Sequence, residues 1–166
     1  MLNIIPSFLS LDKLSNYAVV EQIVELNEKS RQYGLLLSPT DAIQLVETRS
    51  RSLLENGRIE IGGETLIKII DAFYDSSFIM QDDYSDTLNE LLEIFYYIKN
   101  ETLELISDDE LIEHMKNYFE NRCKGSLDLL KDRELEKLAN NLRYGVTDYS
   151  NIEEPDEQDP DEEEDF

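Results

Sequence analysis

The sequence predicts a mainly α-helical, bundle-like single domain of five to six helices, and three observations carry that reading. Apolar residues recur at helical spacing through most of the chain. Residues with capping chemistry stand just ahead of several of those runs. Only one short piece, around 58–61, alternates as a strand or hairpin does.

Taken in order, residues 1–14 do not commit to one element, because Pro6 interrupts them. From Asn16 to Tyr33, Val19, Val20, Ile23, Val24 and Leu26 make an apolar face, and Gly34 is placed to close the helix in a left-handed cap. In "SPTD", Ser38 has the chemistry of an N-cap, Pro39 suits the first helical position and Asp41 lies at the positive end of the helix dipole. The stripe that follows is Ala42, Ile43, Val46, Leu53 and Leu54, and "ENG" at 55–57 stops it. "RIEIGG" is the strand-like piece, with Ile59 and Ile61 alternating with Arg58 and Glu60. A lone strand needs a partner, and the Asn3–Ile5 region is the candidate.

Helical spacing resumes at Glu64–Tyr74 and again at Asp83–Asn100. The apolar arc of the latter, with Leu88, Leu91, Leu92, Phe95 and Ile98 widened by Ile94 and Tyr97, suits a central helix. Ser107 and Glu110 have capping-box spacing ahead of a helix that runs to Arg122, and Gly125 breaks it. "SLDLLKDRELEKLANNLR" supplies one last helix, or two hinged near Asp132. Short connections between such segments lead to helices wrapped around one core.

At 166 residues the chain fits one domain, read as a helical body over 1–145 and a disordered acidic tail over 146–166. Ten of the last 14 residues are acidic and none is basic. The body is acidic too, because 28 acids outside those 14 residues face all 15 bases. Such a surface repels phosphate backbones and anionic lipid, so direct nucleic-acid and membrane binding are disfavoured. No apolar stretch approaches the ~20 residues needed to span a bilayer. "MLNIIPSFLSLDKL" lacks the basic start and apolar run of a secretory signal, and one cysteine permits no internal disulfide. A cytoplasmic protein is expected. The tail is read as a solubilising segment; attraction to a basic partner is the alternative.

Catalytic constellations are scarce. His114 and Cys123 are nine positions apart in one helical pattern, which sets them on opposite faces roughly 13 Å apart along the axis. Cys123 continues the stripe of Ile112, Met115 and Phe119, so it is expected in the core, with His114 at its boundary. Asp82, Asp86 and Glu90, with Asp83 beside them, share one side of a helix start and are the candidate divalent-metal ligands. The competing account is that acids simply favour a first helical turn. "GRIEIGGET" has the first gap of a phosphate-binding loop, but Gly63 stands where the lysine belongs. Arg49, Arg51 and Arg58 form the one basic concentration, and Glu47 is placed to pair with Arg51. No cofactor is expected.

"GRIEIGG", "QDDYSDTLNELLEIFYYIKNETLELISDDELIEHM" and "RCKGSLDLL" resemble a family of Firmicutes proteins built on a domain of unknown function, over roughly residues 34–143. The resemblance implies a bacterial, cytoplasmic, single-domain protein and transfers no activity. Within those stretches Arg58, Asp82, Asp83, Tyr84, Lys99 and Asn100 are the polar positions to inspect first. Together these readings favour a non-enzymatic protein that binds another protein or regulates it. Two alternatives stand beside it: a divalent-metal-dependent enzyme or metal-binding protein using the Asp82–Glu90 rim, and a nucleic-acid mimic that inhibits a basic protein.

Overall fold

A computed structural model describes residues 11–145, with side chains from residue 16 onward. The expected acidic tail and the Asn3–Ile5 partner of the 58–61 segment lie outside those residues. Helices are the regular secondary structure of the described part, and no strand occurs in it. Six α-helices have eight residues or more: α1 (Leu11–Glu25), α2 (Pro39–Glu55), α3 (Glu64–Phe73), α4 (Tyr84–Glu101), α5 (Asp108–Asn121) and α6 (Glu136–Arg143). A short helical piece, Leu127–Leu129, leads without a break through a π-helical Leu130–Leu135 into α6. The hinge expected near Asp132 is thus a widened turn inside one continuous run, as π-bulges usually are.

Ser38 and Ser107 both cap their helices as the sequence predicts, but the full reciprocal box forms at Ser38 and not at Ser107. Ser38 Oγ accepts from the Asp41 amide at 3.0 Å while Asp41 Oδ2 accepts from the Ser38 amide at 2.9 Å, a reciprocal box that fixes the start of α2. At α5 only one half of the box forms: Ser107 Oγ accepts from the Glu110 amide at 3.2 Å. The helix expected from Asn16 to Tyr33 begins earlier, at Leu11, and breaks at Leu26. Asn27 explains the break. Its side-chain amide donates to the Leu37 carbonyl and its oxygen accepts from the Leu37 amide, both at 2.8 Å, so the returning loop is stitched to that corner. Gly34, at φ 76°, closes the short helical turns that follow, as expected.

The core is continuous, and α4 lies at its centre against α2, α3, α5 and the last helical run. Leu88, Leu91, Leu92, Phe95 and Ile98 of α4 are all fully buried. Cys123 is buried and His114 half-buried. The stripe of α2 is rotated from the expected one. Ala42, Leu45, Val46, Arg49 and Ser52 face inward, whereas Ile43 and Leu54 are exposed. An arginine therefore occupies a core-facing turn, and its partners define the site below.

Gly63 is where α1 meets the body. A Cβ there would lie 2.6 Å from both methyls of Val19, well inside van der Waals contact. Gly63→Ala is therefore expected to push α1 outward and to cost about 1–3 kcal/mol, the usual penalty for overpacking. Thermal unfolding checks this, and a relieving Val19→Ala should recover most of the loss.

Candidate functional site

The 58–61 segment inverts the usual rule for an exposed loop. Residues 58–60 carry no helix or strand and 61–63 bend, so the expected strand does not form. Among the described residues no extended segment pairs with it; side chains hold it instead. Arg58 and Glu60 turn inward, while Ile59 and Ile61 stand 93% and 98% exposed.

Beneath the loop lies an ionic clamp. Glu60 Oε1 accepts from Arg49 Nε at 3.2 Å and from the Tyr96 hydroxyl at 2.8 Å, and its Oε2 lies 2.9 Å from Arg58 Nε. Arg49 also donates to the Gly62 carbonyl, which tethers the far end of the loop. Arg58 forks outward. Its Nη1 donates to both oxygens of Glu104 at 2.8 and 2.9 Å, and its two terminal nitrogens grip Asp108 at 3.1 and 2.6 Å. Lys99 completes the set, with Nζ 2.9 Å from Asp108, 3.1 Å from Glu104 and 2.5 Å from the Ile106 carbonyl. Thr65 donates to Asp108 at 3.3 Å. The guanidinium of Arg58 rests 5.8 Å from the ring centre of Phe95 and 5.7 Å from that of Tyr96, an aromatic floor that suits a partly desolvated cation.

Three cations, Arg49, Arg58 and Lys99, thus face three carboxylates, Glu60, Glu104 and Asp108. Arg49 and Lys99 are only 5% and 4% exposed, and charges so placed need partners. The groups respond accordingly. Burial opposes the charge on Arg58, but Asp108, Glu60 and Glu104 outweigh it and hold its pKa above the ordinary value. Burial likewise favours a neutral Asp108, yet hydrogen bonds from Arg58 and Lys99 keep it below its ordinary value. Tyr96 is raised, by burial and then by the charge of Glu60, so its hydroxyl stays a donor.

The clamp ties two loops together. The second, between α4 and α5, carries Leu103 and Glu104 in the left-handed region at φ 53° and 61°. Two consecutive side-chain-bearing residues there are strained by about 1–2 kcal/mol each, which the bonds to Glu104 offset. Leu103 and Leu105, on either side of Glu104, are exposed, as is Leu54 at the end of α2. Arg58 and Glu104, which join the loops, are therefore flanked by outward-pointing aliphatic side chains on both.

The structure brings three of the sequence's interaction candidates, Arg49, Arg58 and Lys99, into one cluster, and disperses the rest. Arg51 is exposed and pairs with Glu93 at 3.2 Å and Glu55 at 3.9 Å, not with Glu47. Tyr84 is in the core, its pKa pushed up to about 12 by burial, which outweighs the opposing effect of a hydrogen bond shared with Ser30. Asp83 Oδ1 accepts from the Met80 amide at 3.0 Å, and Asn100 is exposed at the end of α4. Asp82, Asp86 and Glu90 lie exposed along the start of α4. Among the described residues no three His, Cys, Asp or Glu side chains are grouped so as to hold a metal ion. Glu60, Glu104, Asp108 and Tyr96 are not among the candidates the sequence offers. The alternation of charge with isoleucine at 58–61 was the one available signal.

A second buried carboxylate supports the π-helical turn. Glu134, 2% exposed, accepts from Arg133 Nε at 2.7 Å and Arg122 Nη1 at 3.1 Å. Burial pushes its pKa up, but the two arginines prevail and hold it below the ordinary value. Arg122 lies 4.9 Å above the Tyr118 ring, which stacks in turn on His114.

Asp108 and Glu134 share one pH sign. Each has a folded pKa below its unfolded one, so its contribution is complete above the ordinary carboxylate range and is lost as the pH falls through the folded value. The stability gap between the wild type and Asp108→Asn is expected to be constant above about pH 5 and to close below about pH 4. Urea unfolding at several pH values measures it; a gap that widened in acid would contradict the ion pairing.

A profile of a family of unknown function, DUF6323, matches residues 22–148. The chain belongs to this family. The match contains the whole clamp and nearly all of the helical body, while most of the acidic tail lies beyond it. No curated protein and no solved structure matches the chain. No helix among the described residues of this DUF6323 protein is long and apolar enough to cross a membrane.

Proposed function

We propose that this protein acts in the bacterial cytoplasm by binding another protein, and that it catalyses no reaction of its own. The observation that carries the reading is the inverted loop: charges clamped below, branched aliphatic side chains fully presented above. Apolar side chains held out on a rigid frame are what a partner buries at the centre of an interface, and fixing them beforehand reduces the entropy lost on docking. The clamp itself is poorly suited to chemistry, since its three cations and three carboxylates are engaged with one another.

Photocrosslinking in living cells tests this. A benzophenone side chain placed at Ile59, Ile61 or Leu103 is expected to give one discrete protein adduct, and the same group at Lys124 or Asp132 none. Ile59→Asp with Ile61→Asp should abolish the adduct formed from position 103 while changing stability by no more than about 0.5 kcal/mol. Equal labelling from all five positions, or none from any, would refute the reading.

A further inference from the structure

The 58–61 segment is built like an edge strand without a neighbour. Residues 58–60 run without helix, turn or bend, and the side chains alternate, with Arg58 and Glu60 inward and Ile59 and Ile61 outward. In a chain so extended, the N–H and C=O of residues two apart point to the same edge. Ile59 and Ile61 are so nearly fully exposed that their main chain is uncovered along with their side chains. Among the described residues no hydrogen bond reaches the main chain of either. We infer that this edge takes a strand from the partner protein: an extended peptide with aliphatic side chains and basic flanks, hydrogen-bonded to the N–H and C=O of Ile59 and Ile61.

Residue type, rigidity and charge favour this occupant. Both displayed residues are β-branched, the kind that packs well on a pleated surface. Neither lysine nor proline, the usual protections of an exposed edge, stands among residues 58–61. The edge is also fixed beforehand. Arg49, Arg58 and Tyr96 hold Glu60, and Arg49 holds the Gly62 carbonyl, so little backbone freedom is lost when a strand adds. Beside it lies a hollow of about 440 Å³ with Leu53 and Leu54 in its wall, which suits the peptide's inward aliphatic side chains. Charge selects the flanks. Glu25, Glu28 and Glu64 rim the neighbouring hollow against Lys29 and Lys68, and the chain carries −23 overall, so a cationic peptide is attracted and an acidic one repelled. A second copy of this chain would bring its own −23 against the first.

The pairing rests on the reading of this face as a protein-docking surface, and it names the part of the partner that docks. Panning a phage-displayed library of random peptides against the purified full-length protein tests it. Enriched peptides are expected to alternate aliphatic and polar residues, to carry lysine or arginine, and to lose binding about tenfold or more to Ile59→Asp with Ile61→Asp. The added carboxylates would strengthen any merely electrostatic attraction, so a loss marks the edge itself. In the tightest synthetic peptide, N-methylating every second main-chain nitrogen in one phase should weaken binding about tenfold, and in the other phase hardly at all, because only one edge of the peptide pairs. Proton exchange at the Ile59 and Ile61 amides should be fast in the free protein and about tenfold slower with the peptide bound. Enriched sequences with helical spacing, none that depends on positions 59 and 61, equal losses in both methylation phases, or amides already protected in the free monomer would each overturn the inference. A dimer that protects the same two amides would overturn it too, by giving the edge to a second copy. A crosslink from position 103 in cells alongside any of these results removes the added strand and keeps the protein-binding reading.

Discussion

Replacing Arg58 with alanine is expected to lower stability by about 3 kcal/mol, the low end of the range for breaking a buried ion pair from one side. The side chain is only partly exposed and grips three carboxylates at once, so its loss leaves Glu60 and Asp108 in a desolvated setting with fewer cations. In a helical body of this size the melting temperature should fall by about 10 °C. Arg58→Lys keeps the charge but not the fork, and should recover less than half of that. Arg51→Ala is the control, because its pairs are exposed and such pairs contribute under about 1 kcal/mol. Equal losses at Arg51 and Arg58 in a calorimetric melt would mean that the clamp does not hold the loops.

Phe95→Ala should have an effect as large or larger, about 3–5 kcal/mol, because it removes a fully buried ring from the central helix. Phe95 meets Tyr96 edge-on at 5.1 Å and underlies Arg58, so the cavity would open next to the ions. A second effect follows. With the floor gone the guanidinium has less to rest on, and the costs of Phe95→Ala and Arg58→Ala should sum to more than that of the double variant. Guanidinium-free urea unfolding of the four proteins measures the coupling; strict additivity would show that ring and ion are independent.

The sequence made the helices legible because their signals are local. Ser38 and Asp41 are three residues apart and cap α2 as that spacing predicts, and the wide apolar arc of α4 does mark the centre of the body. Where the signal was not local, reading failed. Arg58 and Asp108 are 50 residues apart and meet only after α4 has crossed the core, so no spacing rule relates them. Asp108 stands in the first turn of α5, where the helix dipole alone favours an acid, so nothing local marks it as an ion-pair partner as well. The left-handed turn at Leu103 and Glu104 carries no glycine to announce it. Helical periodicity also misplaced one face of α2: it put Ile43 and Leu54 in the apolar stripe and left Arg49 out, because hydropathy alone does not reveal a buried charge whose partner comes from a later loop. Arg49, Arg58 and Lys99 were named by residue type alone, and the carboxylates that gather them into one cluster became visible only in three dimensions.

The separation between what anchors these loops and what they display has an evolutionary consequence. Side chains at 59, 61, 103 and 105 take no part in the anchoring, so they are free to diverge among relatives without disturbing the scaffold beneath. A randomised library at those four positions should yield clones that melt together yet recognise different targets, which is the behaviour of a ready-made chassis for engineered affinity reagents.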